Sequence, residues 1–202
     1  MKQNNHDYVD LGLPSGTLWA TCNVGANSPE AYGDYYALGE TKPKNSYEYI
    51  NYKFQYGGYF NIIYTKYNAT DYKATLDPED DAAAANWGGR WRMPTSKEWS
   101  ELMFNCRWTW ATLNGVKGYK VTSKTNGKSI FLPAAGERDR DKLCYGGDIG
   151  EYWTSSLNVL YEQSLALSFF FMTNEFYIYA QSPRFTGKSV RPVCKIRKVF
   201  AF

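Results

Sequence analysis

Histidine is almost missing from this chain: His6 is the single one, close to the start. A Ser-His-Asp or Cys-His arrangement has no other imidazole to draw on, and no catalytic residue is assigned. The four cysteines, Cys22, Cys106, Cys144 and Cys194, stand far apart and form no CxxC, so no metal site is expected and no cofactor is assigned. Buried free thiols and a Cys22–Cys194 disulfide both remain open at this low cysteine density. No apolar run approaches the ~18 residues that a membrane span needs. The first residues, MKQNNHDY, lack the apolar core of a signal peptide. Charge of one sign is not in excess: the net charge is +3 and the one basic cluster is Lys195-Ile196-Arg197-Lys198, so nucleic acid is not an expected partner. A Gly-rich phosphate loop and a nucleophile elbow are missing too.

Aromatic side chains, in contrast, make up 18% of the 202 residues, with 18 Tyr and 7 Trp. Tyrosine joins broad contact area to a hydroxyl at low entropic cost, which suits a binding surface. The length fits one domain, 1–202, with a sizeable core.

The central stretch is Asn86–Trp99, NWGGRWRMPTSKEW. Trp91 and Met93 alternate with Arg90 and Arg92, which predicts a short half-buried strand ending at Pro94. Thr95 then opens a helix to about Asn105: its hydroxyl accepts from the N–H three residues on while Glu98 reaches back, a capping box. Trp99, Leu102 and Met103 follow at helical spacing. Just before, Asp77-Pro78-Glu79-Asp80-Asp81 offers oxygens for a hard cation. Asp77 as N-cap and Pro78 at the first helical position account for the run without a metal.

Elsewhere the chain reads as strands. Val9, Leu11 and Leu13 alternate with polar residues, Pro14-Ser15-Gly16 turns, and Leu18, Ala20, Cys22 and Val24 return. Gly33–Gly39 reads as a strand entering the interior, and 42–76 as a Tyr-rich insertion with structure of its own. Gly118–Ser123 and Lys128–Leu132 flank Lys124-Thr125-Asn126-Gly127, a hairpin signal. Glu137–Gly150 is a polar loop. Leu165, Leu167, Phe169 and Phe171 alternate along the next strand, Thr173-Asn174-Glu175 turns, and Phe176–Gln181 returns. A last strand near Ser189–Val193 pairs with the first and brings the two ends together.

The segments VDLGLPSGTLWATCNVGA (Val9–Ala26), GDYYALGET (Gly33–Thr41), LDPEDDAAAANWGGRWRMPT (Leu76–Thr95), SIFLPAAG (Ser129–Gly136), EYWTSS (Glu151–Ser156) and SVRPV (Ser189–Val193) together resemble the Fibrobacter succinogenes major paralogous domain, abundant in gut Bacteroidetes. The strand, WRMPT corner and helix are also similar to the formylglycine-generating-enzyme type of C-type lectin fold. Leu38 stands where the family often has tryptophan, and no lipoprotein cysteine precedes Val9. The resemblance implies an α+β, C-type-lectin-like domain with two helices, small antiparallel sheets and paired termini. Its ligand surface is built by the last third, 152–193. It further implies a protein that is extracellular, on the cell surface or on a phage virion. Some proteins with such an ending are diversified by retroelements, and the framework here, EYWTSS to SVRPV, is interrupted by Tyr, Phe, Asn, Ser, Ile and Ala in a similar way.

The expectation that follows is a non-enzymatic binding module for a protein or carbohydrate ligand on a cell surface. Its contact residues are Tyr161, Gln163, Ser168, Phe170, Asn174, Tyr177, Tyr179, Gln181 and Ser182, chosen as outward or loop positions opposite the apolar stripe. Aromatic residues supply stiff contact, and Asn, Gln and Ser adaptable hydrogen bonds. Alternatives are a surface adhesin or pilus-tip component, a phage receptor-binding protein, and an oxidase resembling the formylglycine-generating enzyme. The oxidase requires Cys144 and Cys194 to meet and one thiol to be activated. Calcium-dependent sugar binding lacks its EPN, QPD and WND tripeptides.

Overall fold

The WRMPT corner folds as its residues dictate in the computed structural model, which describes residues 1–58, 61–157 and 163–195. Helix α1 spans Ala82–Trp87 and α2 spans Ser96–Asn105. Thr95 caps α2: its hydroxyl accepts from the Glu98 N–H at 3.2 Å, and Glu98 Oε2 accepts from the Thr95 N–H at 2.9 Å. Glu98 also takes both arms of the Arg92 guanidinium, at 2.6 and 2.7 Å, and the Thr17 hydroxyl at 2.9 Å. Burial alone raises the Glu98 carboxyl, but Arg92 and the cap hydrogen bonds outweigh it and bring it down to about 2.

The expected strand at Arg90–Met93 is reduced to one bridge, Arg92 to Val193. Gly88 and Gly89, both at positive φ, and Pro94 leave no room for a longer ladder. Trp91 and Met93 are buried as their alternation predicts. Asp77 and Pro78 begin a separate 3-10 turn, Pro78–Asp80, and Asp81 caps α1 instead. Its carboxylate accepts from Ala83 and Ala84 at 2.9 and 3.0 Å and from the Met93 N–H at 2.8 Å, tying the helix to the corner.

The strands in chain order are β1 (Lys2–Gln3), β2 (His6–Val9), β3 (Leu18–Ala20), β4 (Gln55–Tyr56), β5 (Ile63–Tyr64), β6 (Cys106–Leu113), β7 (Val116–Ser123), β8 (Ser129–Pro133), β9 (Glu137–Asp139), β10 (Lys142–Cys144), β11 (Ile149–Trp153), β12 (Leu165–Met172), β13 (Glu175–Pro183) and β14 (Val193–Cys194). They form small antiparallel sheets ordered β1-β2-β3-β14, β4-β5, β6-β7-β8, β9-β10 and β11-β12-β13. The architecture is therefore α+β. The late strand meets β3, the return strand of the first hairpin. Arg191, wholly buried, secures that junction by donating to the Asn23 side chain and to the carbonyls of Ala20, Thr21 and Phe131, at 2.7 to 3.0 Å.

Three segments differ from expectation. Gly33–Gly39 makes a single bridge, Tyr36 to Lys188, although Tyr35–Leu38 are buried. The polar loop Glu137–Gly150 contains the β9–β10 ladder. In the turn after β7, Gly127 is at φ +72° while Asn126 is not left-handed, so the Asn-Gly pair does not form the two-residue turn.

The core has two centres. One gathers Tyr36, Leu38, Tyr47, Trp91 and Trp153; the other gathers Trp19, Trp99, Tyr119, Phe169 and Phe171. Trp99 stacks on Phe169 with centroids 4.4 Å apart and meets Trp19 edge-on at 4.8 Å. Each such ring contributes about 2–3 kcal/mol by burial. This anchors the first hairpin and β12 on the same helix.

Candidate functional site

The β12–β13 hairpin presents the last third of the chain. Phe169, Phe171, Phe176 and Ile178 pack inward on the second core centre. Trp108 lies 5.1 Å from Phe176 and 5.5 Å from Phe169 between ring centroids. Asn174 makes the turn at φ +69°, a conformation asparagine tolerates, and its N–H donates to the Tyr119 hydroxyl at 2.9 Å. The pairing shifts between Ser168–Ala180 and Phe170–Tyr177, so β13 carries one extra residue there. This bulge places both Ile178 and Tyr179 opposite Phe169 and changes which face the rest of β13 shows.

The candidate residues therefore divide. Tyr177 and Tyr179 are 52% and 61% exposed, and Asn174 and Gln181 are exposed as well. Phe170 and Gln163 are half-buried. The Phe170 and Tyr177 rings meet at 5.7 Å. The Tyr177 hydroxyl donates to Glu175 at 2.9 Å, and that bond and the carboxylate charge raise its phenol above the ordinary value. A hollow of about 410 Å³ runs along Phe176–Ala180 and reaches Met103 of α2. Met103 and Glu175 were not among the candidates, and nothing local marks them, because helix and hairpin meet only in three dimensions.

Ser168 and Ser182 are not outward. Both are buried and donate to Glu151, Ser168 at 2.7 Å. Past the bulge, their side of the sheet is occupied by Glu151 and Lys188. Tyr161 lies outside the described residues. The supporting network continues inward: Lys188 is wholly buried, with its ammonium 2.9 Å from Glu151, 2.5 Å from Glu137 and 5.0 Å from the Trp153 ring centre. Burial pushes the Glu151 carboxyl up, but Lys188 and the two serine hydroxyls hold it below its ordinary value. Glu151 and Trp153, two residues apart in EYWTSS, share the covered face of β11.

Two other arrangements weighed on the sequence take definite form. Oxygens of Asp77, Glu79 and Asp80 lie within 4.8 Å of one another. Lys66 sits among them, at 2.6, 3.5 and 2.5 Å, with Lys53 at 2.7 Å from Asp80 and Lys73 on Asp77, so ammonium groups neutralise the cluster. All four cysteines are free thiols. Burial pushes Cys106 and Cys194 up to about 11, the reverse of activation.

Comparison with known protein families, with characterised proteins and with solved structures returned no match.

Proposed function

We propose that this chain is a C-type-lectin-like ligand-binding module of the Fibrobacter succinogenes major paralogous domain kind, and that it acts without chemistry of its own. Its contact surface is the exposed edge of the β12–β13 hairpin and its turn: Phe170, Asn174, Tyr177, Tyr179 and Gln181. The observation that carries this is the exposure of Tyr177 and Tyr179 on the edge strand of a hairpin that Phe169, Phe171 and Phe176 anchor in an aromatic core. Exposed aromatics on a rigid support give apolar contact at low ordering cost. The raised Cys194 thiol, unpaired with Cys144, weighs against the oxidase alternative. The ligand is a protein or carbohydrate of a cell surface, and the module belongs to a surface or virion receptor-binding protein, the retroelement-diversified kind included.

The test is binding of the labelled chain to intact gut Bacteroidetes cells and to a glycan array, beside a Phe170→Ser/Tyr177→Ser/Tyr179→Ser variant. Saturable binding that the variant loses is expected; binding unchanged in the variant, or none by the parent chain, overturns the reading. The retroelement part predicts a reverse-transcriptase gene nearby with a near-copy of the segment encoding the hairpin, differing where the copy has adenine. Finding neither removes that part.

A further inference from the structure

A second hollow lies on a different sheet. In β6-β7-β8 the registers Thr109–Lys120–Phe131 and Ala111–Gly118–Pro133 put Ala111, Lys120 and Phe131 on one face. The opposite face sends Tyr119, Val121 and Leu132 into the core. At Gly118 a Cβ would lie 2.2 Å from the Leu132 carbonyl oxygen and 2.9 Å from Phe131 Cζ, so the phenyl ring lies across the glycine. Thr21 and Pro29, from the stretch after β3, line the same space together with Leu113 of β6. The space is about 330 Å³, within the usual range for small-molecule sites.

Its lining is mainly carbon, with one charged side chain, Lys120. Among the described residues that ammonium has no carboxylate or hydrogen-bond partner, unlike the paired Lys53, Lys66 and Lys188. An apolar recess with one free cation at its edge is complementary to a flat apolar body carrying one negative charge. The ring would remove carbon surface from water against Phe131 and Pro29, and the charge would meet the ammonium at the edge of the recess.

We propose that this recess binds a small aromatic carboxylate, its ring held between Phe131 and Pro29 and its carboxylate on Lys120. The site is separate from the hairpin surface and stands or falls independently of it. Calorimetric titration of the full chain with naphthalene-2-carboxylate, and with the neutral naphthalene-2-carboxamide, tests it. The acid should bind saturably and about ten-fold or more tighter than the amide. Lys120→Gln, an exposed change, should abolish that preference, and Ala111→Trp, which fills the recess from an edge strand, should abolish binding of both. Should Ala111→Trp fail to fold, Pro29→Trp fills the recess from the opposite wall. No saturation below about 5 mM, equal affinity for acid and amide, or a preference that survives Lys120→Gln overturns the proposal.

Discussion

Lys188 shows how much a single residue can carry in this molecule. Its ammonium has left water entirely and is compensated by Glu137, Glu151 and the Trp153 face. Lys188→Met leaves two carboxylates facing each other without their cation, and a loss of about 3–5 kcal/mol in urea unfolding is expected. Glu98 supplies a pH-dependent counterpart. Its carboxyl is held down at about 2 in the folded protein, below the unfolded value, so its stabilisation is complete above the ordinary carboxylate range. It is lost as pH falls from there through about 2. The shift corresponds to about 3 kcal/mol. Unfolding followed from pH 6 down to pH 2 should show Glu98→Gln less stable than the parent at the upper end and the gap closing at the lower. A gap independent of pH would contradict this. The Glu98 cap was legible in the sequence because Thr95 and Glu98 are three residues apart; its bonds to Arg92 and Thr17 were not, since Thr17 is distant in the chain.

At the scale of the element, the β12–β13 hairpin joins buried aromatic anchors to an exposed edge strand. Tyr177→Ser and Tyr179→Ser should alter thermal stability by no more than about 0.5 kcal/mol, as exposed positions do, while removing ligand contact. Asn174 is a different case: its φ of +69° strains a β-branched side chain, so Asn174→Val should cost about 1–2 kcal/mol and Asn174→Gly should not. Chemical denaturation of the two variants checks this. The hairpin itself could be read from the Leu165–Phe171 alternation and the Thr173-Asn174 turn. The bulge could not, because one extra residue in β13 leaves no compositional mark, and it is the bulge that turns Ser182 to the side of Ser168 and Glu151. Strand β6 carries no local start signal: α2 ends at Asn105 and β6 begins at Cys106, with no Gly or Pro to announce the change.

Across the whole molecule, Arg191 joins the first hairpin, β8 and the closing segment. Arg191→Met strands the buried carbonyls of Ala20 and Phe131 and the half-buried one of Thr21 and should cost at least about 3 kcal/mol, read as a lowered melting temperature. A reductant should leave that temperature unchanged, because no disulfide contributes. By itself the sequence determined what is local: the Thr95 capping box, the alternating strands, the buried Trp91 and Trp99, and the aromatic-rich last third. Such features depend on residues a few positions apart, where side-chain period and hydrogen-bond reach are set by backbone geometry. The tertiary structure alone decided which hydroxyls face solvent, that lysines occupy the acidic cluster, and that a glycine and a phenyl ring shape a recess beside Lys120. Those outcomes depend on elements far apart in the chain meeting, and burial and compensation of charge belong to the meeting rather than to either partner.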